Sequence, residues 1–367
     1  MGPGDVNAHT HLYSALVPFG IPLPEPWPRD FVTILERLWW RLDRALDADL
    51  LRVAARVYVA RSLLAGTTTL IDHHESPGFI AGSLDVLAAA ADELGARALL
   101  CYGATERNGG RAEAEAGLAE SARAARTLVG HPRLRGLIGL HAGFTVSDLT
   151  IIDAVAIATA LGVGIHVHVA EAPADVADAR TRGYAGALAR LDALGAVGPR
   201  AILAHGIHLG RDEVARAGER DAFFVQNPRS NRGNGVGYPS ALALARHVAL
   251  GSDGFPAVMD AEVAVAREDG ARQGEPPALA GARLDAGRAL VERHFGKWGE
   301  GGAGATHADV VARDAEGALH VVVDGRIVVR DRALVACDTT TLEREAAAAA
   351  ARLRDRMAAQ STPGEPT

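Results

Sequence analysis

Lysine is almost missing from this chain: of 38 basic residues, only Lys297 is not an arginine. Chemistry that needs an amino group, such as a Schiff base or the lysine of a phosphate-binding loop, therefore has a single home. That home lies in a Gly-rich segment well away from the histidine motifs. Cysteine is nearly as scarce. Cys101 and Cys337 stand far apart and neither belongs to a Cys-x-x-Cys pair, which excludes a disulfide framework and a thiolate zinc knuckle. No apolar run approaches the roughly 20 residues that cross a bilayer, so no membrane partner is expected. The first residues lack a basic stretch followed by an apolar core, so no secretory leader is expected either. The net charge of −7 is modest and not gathered into a tail, which makes nucleic acid a poor partner. The expectation left standing is a cytoplasmic protein that handles a small molecule. What is present in quantity is apolar: 48% of 367 residues, ample for a large core.

From about residue 5 to about residue 255, short apolar runs alternate with longer amphipathic stretches. The runs predict strands at 6–11, 67–73, 96–103, 134–141, 163–169, 200–205, 223–227 and 248–253. Each is continuously apolar or β-rich, as parallel strands buried on both faces require. Helical patterns such as 49–64, 82–94, 111–129 and 147–161 separate them. Eight such units over about 250 residues predict an α/β fold, a (β/α)8 TIM barrel. An open doubly wound sheet is the rival, but no Gly-x-Gly-x-x-Gly follows the first strand. The barrel is expected over 1–298, the remnant of a small β-sandwich over 305–338, a helix over 339–360 and a disordered tail over 361–367. The small domain is predicted from strands at 309–312, 319–323 and 326–329, with Asp324-Gly325 as a two-residue hairpin turn. A Gly-rich linker, 299–304, precedes it.

Four motifs fall at strand ends: Asn7-Ala8-His9-Thr10-His11, His168-Val169-Ala170-Glu171, Ala204-His205-Gly206 and Gly251-Ser252-Asp253-Gly254. Side chains two apart on a strand share a face, so His9 and His11 can grip one ion. His168 is the third candidate ligand; His166 has the same parity and packs one layer deeper, although the two could exchange roles. Asp253 closes the set with a carboxylate, unless it serves only to cap the following helix. Three imidazoles and a carboxylate suit one divalent ion, Zn(II) first and Fe(II) as its competitor. Glu171, just past the strand end, can move a proton between water and a leaving nitrogen, since a bound divalent ion brings the pKa of water to about 7. His205 could ligate or orient that water. At the mouth, one of His73 and His74 faces inward, with His74 taken as the substrate contact. Arg229 could meet a substrate carbonyl or engage in a salt bridge, and Trp39, beside Trp40 in the long excursion after strand one, could wall the pocket.

These segments resemble the amidohydrolase superfamily, and more closely its cytosine/guanine deaminase and chlorohydrolase branch. Within the branch, the subgroup resembled is known only as aminohydrolases. The resemblance runs over nearly the whole chain and includes Gly66-Thr67-Thr68-Thr69, Leu140-His141-Ala142 and Asn227-Pro228-Arg229-Ser230-Asn231. It implies one divalent metal held by His9, His11, His168 and Asp253, with Glu171 as proton shuttle. It also implies that His205 and Asp253 position hydroxide and accept its proton, and that His141 contacts substrate. Two-metal relatives carry a bridging lysine, glutamate or cysteine on strand four; 134–141 has none, so one ion is expected.

Members of the superfamily also carry a segment ahead of the first barrel strand that pairs with C-terminal strands. Here Met1-Gly2-Pro3-Gly4 stands directly against strand one, so the C-terminal strands are expected to lack partners, through a misassigned start or a reduced domain. Open strand edges invite pairing, which makes a homodimer one expected consequence. The function this points to is hydrolytic deamination of an amino-substituted purine, pterin or pyrimidine. Ring-amide or carbon–chlorine hydrolysis at the same site is the alternative, and a barrel that binds without turnover is the third.

Overall fold

The structure, a computed structural model, describes residues 1–296 and 309–360. The linker expected at 299–304 and the tail at 361–367 lie outside the described residues.

Eight parallel strands form the barrel: Asp5–Thr10, Thr67–His74, Arg97–Ala104, Ile138–Ala142, Ile165–Val169, Ile202–His205, Phe223–Gln226 and Val248–Leu250. They are hydrogen-bonded in sequence order. The fourth is preceded by Leu134–Gly136, which also pairs with Arg97–Ala104, so the expected run at 134–141 is one strand broken in the middle. Closure is made by a parallel bridge between Thr10 and Asp253, backed by His11 N–H donating to the Asp253 carbonyl at 3.3 Å. Every residue of the second and third strands is buried, including the polar Thr67, Thr68, Thr69, Asp72, His73, His74 and Arg97.

Between the strands the helices start and stop where local chemistry dictates. Asp47 accepts from Leu50 N at 2.9 Å and opens the helix Ala48–Leu64. Ser147 caps Asp148–Leu161, which ends at Gly162 in the left-handed region. The excursion after the first strand is less regular: a 3-10 helix (Leu12–Phe19), then a short α-turn (Phe31–Ile34), a π-helical turn (Leu35–Trp39) and a second α-turn (Trp40–Ala45). Among the described residues no helix is long and apolar enough to cross a membrane.

Beyond the barrel, Val310–Asp314, Gly317–Val323, Arg326–Arg330 and Ala333–Leu334 build an antiparallel sheet in sequence order. Asp324 (φ 50°) and Gly325 (φ 74°) form its two-residue turn, both left-handed as a primed turn requires. The C-terminal strands do not lack a partner from the start of the chain. Gly2–Pro3 pairs antiparallel with Val310 and Val311, because the two residues ahead of the first barrel strand are extended enough to reach that edge. Nor do the described strands form a sandwich. Val311, Val321, Val323 and Val329 share one apolar cluster with Val53 and Val57 of helix Ala48–Leu64 and Leu342, Ala346 and Leu353 of helix Thr339–Ala358.

Candidate metal centre and cavity

The carboxyl ends of strands one, five, six and eight bring His9, His11, His168, His205 and Asp253 together. His9, His168, His205 and Asp253 each offer a ligand atom within 4.8 Å of all the others. His11 Nε2 joins them, 3.3 Å from His168 Nε2 and 3.0 Å from Asp253 Oδ1, while His9 Nε2 lies 3.4 Å from the same oxygen. Two of these positions, His205 and Asp253, and Ala170 between His168 and Glu171 rest on sharp backbone, with φ of 74°, 53° and 49°, a conformation non-glycine residues adopt at a cost of about 1–3 kcal/mol. The turn at the end of strand eight is clamped by Asn7, whose Oδ1 accepts Ser252 N–H at 2.9 Å and whose Nδ2 donates to Ser252 Oγ at 2.7 Å. Gly251 has to be glycine, since a Cβ there would stand 2.4 Å from Asn227 Oδ1 and 2.7 Å from the His9 carbonyl.

Hydrogen bonds behind the rings fix which nitrogen faces the centre. His11 Nδ1 lies 2.5 Å from the His73 carbonyl, and His168 Nδ1 lies 2.5 Å from the His141 carbonyl. A carbonyl only accepts, so both Nδ1 atoms donate and, in the neutral rings, both Nε2 lone pairs face each other. That contact is unfavourable unless positive charge sits between them. Four-coordinate bonds of about 2.0–2.1 Å to one ion would hold neighbouring nitrogens about 3.3 Å apart, the spacing found here. His9 Nε2 is buried without a hydrogen-bond partner, as a ligand nitrogen would be; its Nδ1 faces His166 Nε2 at 2.9 Å. Burial keeps His9 neutral, down to about 3, and lowers His168 and His205 as well. At His11 burial acts the same way, but the Asp253 hydrogen bond and the charges of Glu75 and Asp253 outweigh it and raise the ring to about 9. The cluster therefore draws positive charge to its centre, and its donor set fits one divalent ion.

Glu171 stands beside this cluster, Oε2 3.4 Å from His205 Nε2, with Oε1 buried and unpartnered. Burial, and then the charges of Asp253 and Asp175, push its carboxyl well above the usual range. His205 is oriented by Asn231, whose Oδ1 lies 3.0 Å from Nδ1; Ser230 Oγ donates to Asp253 Oδ2.

A cavity opens over the cluster, lined by His11, His168, Glu171 and Asp253 below and by Tyr13, Phe31, Leu35, Trp39, Trp40 and Phe144 above. His141 and Trp39 line it. His74 does not: the parity of strand two turns His73 toward the axis, its ring centroid 4.5 Å from His168, and sends His74 outward to Ser76 Oγ at 2.8 Å. Arg229 does not either, because its Nε donates to the buried Glu262 at 2.6 Å and its guanidinium covers Phe255. The residues missed from sequence are Tyr13, Asp43, Glu75, Phe144 and Asn234, all of which line the cavity. Glu75 carried a signal, since it shares the parity of His73.

Fold and site define a TIM barrel with a histidine-rich centre suited to a divalent metal at its carboxyl mouth. This chain belongs to the amidohydrolase family, whose model matches residues 1–345. It is 31% identical over 272 residues to 8-oxoguanine deaminase of Pseudomonas aeruginosa, covering 69% of this chain and 59% of that protein. It is 28% identical over 262 residues to 5'-deoxyadenosine deaminase of Methanothermobacter thermautotrophicus, covering 69% and 57%. The chain thus matches less than two thirds of the length of either relative. Among solved structures, an adenosine deaminase from Xanthomonas campestris with bound zinc superposes with a TM-score of 0.82 at 24% identity, covering 96% of this chain and 85% of that one.

Proposed function

We propose that this protein is a metal-dependent aminohydrolase that deaminates an uncharged amino-substituted N-heterocycle. The observation that carries the reading is the pair of Nε2 atoms of His11 and His168, 3.3 Å apart beside the Asp253 carboxylate, with the Glu171 carboxyl beside His205 at their edge. In this reading His9, His11, His168 and Asp253 hold the ion, Zn(II) by preference and Fe(II) as the competitor. When bound, the ion supplies Lewis acidity and an acidified water at neutral pH. Glu171 would pass one proton to a ring nitrogen, take up the first proton of the attacking water and hand it to the departing amine. His205, steadied by Asn231, hydrogen-bonds the attacking oxygen, and Asp253 takes up its proton. The ring carbon gains a C–O bond, its C–N bond breaks, and ammonia leaves.

The cavity supports the substrate class. Its aromatic upper wall suits the face of a flat ring. Among the described residues its lining contains no Lys or Arg, and its carboxyl groups include Asp43, Glu75, Glu171, Asp175 and Asp253. Such a wall repels a phosphate or carboxylate and admits a neutral base. Three curated relatives, named as deaminases of 8-oxoguanine, of 5'-deoxyadenosine and of 5-methylthioadenosine/S-adenosylhomocysteine, point the same way.

The test is ammonia release from a purine, pterin and pyrimidine panel, before chelation, after it, and after reloading with Zn(II) or Fe(II). Release that chelation abolishes and one of the two ions restores is the expected result. Turnover untouched by chelation, or ring-amide hydrolysis without ammonia from any amino-heterocycle, would sink the reading.

A further inference from the structure

The cavity wall contains a carboxyl group for which the proposed chemistry has no use. Glu75 stands one residue past the second barrel strand, lines the cavity and is only 2% exposed. Its Oε1 lies 2.7 Å from His73 Nδ1, and His73 Nε2 lies 3.0 Å from the Leu140 carbonyl. Because a carbonyl only accepts, His73 donates from Nε2. Its Nδ1 then either donates to an ionised Glu75 or accepts a hydrogen carried on Oε1. In both cases Oε2 is a bare acceptor, so its role is independent of where that proton sits. Among the described residues no donor hydrogen-bonds Oε2. His11 Nδ1, at 3.5 Å, gives its N–H to the His73 carbonyl instead.

The place is built for this pair. Gly103, on the adjoining third strand, lacks the Cβ that would stand 2.4 Å from both Glu75 Oε1 and His73 Cε1. Position matters as much as chemistry. Glu75 flanks the metal-binding cluster on the His11 side, whereas Glu171 flanks it on the His205 side. With the amine-bearing carbon of a ring over the cluster, one neighbouring ring nitrogen would turn toward each carboxyl group. The nitrogen beside Glu171 has to accept a proton. The one beside Glu75 meets an acceptor with no donor of its own.

We propose that Glu75 Oε2 is a specificity-determining acceptor for a ring N–H adjacent to the reacting carbon. The preferred substrates are then cyclic guanidine-type rings, in which the amine-bearing carbon lies between one bare ring nitrogen and one ring N–H. Rings that present bare nitrogens on both sides are disfavoured. This inference rests on the deaminase reading for its reaction, but its recognition step can be read separately. A site that hydrogen-bonds a substrate N–H rejects the analogue lacking it strongly, because its own buried group is left unpaired.

The experiment uses the metal-loaded full chain and two matched probe pairs, pterin with 3-methylpterin and 8-oxoguanine with its N1-methyl derivative. Ammonia release and calorimetric binding are both measured. The wild type is expected to favour the N–H member of at least one pair by about 100-fold or more. Glu75→Ala should erase that preference by weakening only the N–H member, with metal content unchanged, and Glu75→Gln, which keeps a carbonyl acceptor, should restore part of it. Equal losses on both members, parallel loss of metal, a preference that survives Glu75→Ala, or failure of the wild type to bind any probe would overturn the proposal. If binding discriminates but ammonia is never released, the deaminase reading fails while the role of Glu75 stands.

Discussion

The two ends of the barrel are bonded in opposite ways. At the foot, where the strands begin, charges are matched. Arg97, fully buried, donates from Nε and Nη2 to the carboxylate of Asp309 at 3.2 and 3.1 Å, and Arg313 pairs with Asp5. Gly4 N–H meets the Asp309 carbonyl at 3.0 Å, so the small sheet is fastened to the barrel through both backbone and side chains. At the mouth, bonding is left incomplete: His9 Nε2, Glu171 Oε1 and Asp43 Oδ1 are buried with no partner. Each unsatisfied group costs about 1–3 kcal/mol. Left-handed backbone at Ala170, His205 and Asp253 adds strain at the same end. Groups of this kind persist in a folded protein where a ligand completes them. The foot is arranged for stability and the mouth for chemistry, the division of labour general to TIM barrels.

The largest test of that contrast is Glu171→Gln. The substitution keeps the shape and removes the transferable proton, so kcat should fall by about 10²–10⁴-fold while bound metal stays stoichiometric. Thermal stability should hold or rise, because a buried carboxyl group is replaced by a neutral amide of the same size. Ammonia-release kinetics with parallel metal analysis checks this. Full activity in the variant would remove Glu171 from the mechanism.

A smaller effect is expected one layer down. His166 Nε2 faces His9 Nδ1 at 2.9 Å, and His166 Nδ1 lies 3.8 Å from Cys101 Sγ. If His9 ligates through Nε2, its Nδ1–H donates to His166, which therefore sets the orientation and tautomer of the ligand. His166→Leu should weaken metal affinity by about 10–100-fold, and His166→Gln, whose carbonyl can accept the same hydrogen, should recover much of it. Competition with a chelator of known strength measures both. Equal affinities in Leu and Gln variants would reduce His166 to packing.

These examples also show what was legible in the sequence. Strand interiors were, because burial on both faces leaves continuous apolar runs, and so were His9, His11, His168, His205, Asp253 and Glu171, which punctuate strand ends. The choice between His73 and His74 was not. It depends on how the second strand is rotated about its axis, which its fully buried residues give no polar alternation to reveal. Tyr13, Asp43 and Phe144 escaped because the cavity's upper wall is built largely from 3-10, π and short α-turns, where neither period of two nor of 3.6 persists. Asn7 lay inside the first motif, yet its clamp on Ser252 joins residues brought together only by barrel closure. The same holds at the foot, where Asp5 meets Arg313 and Arg97 meets Asp309 across most of the chain.

That foot yields the smallest and most discriminating test, since at Asp5 two opposing influences can be weighed. Burial raises its carboxyl to about 6 from the usual 3.8; Arg313 pulls it down, Asp260 pushes it up, Arg288 lowers it and Asp285 raises it. The folded state therefore keeps this proton at pH values where the unfolded chain has already released it. Between about pH 4 and pH 6 the native state binds more protons, so the contribution of Asp5 to stability declines as pH rises and levels off above about 6. Asp5→Asn mimics the protonated form at every pH. The wild type should match the variant near pH 4 and lose ground to it up to pH 6, with a constant gap beyond, in melting curves taken across that range. A gap of the opposite sign, with the wild type gaining on the variant as pH rises, would mean that the ion pair with Arg313 outweighs burial. The small sheet would then be held to the barrel at this point by charge and not merely in spite of its cost.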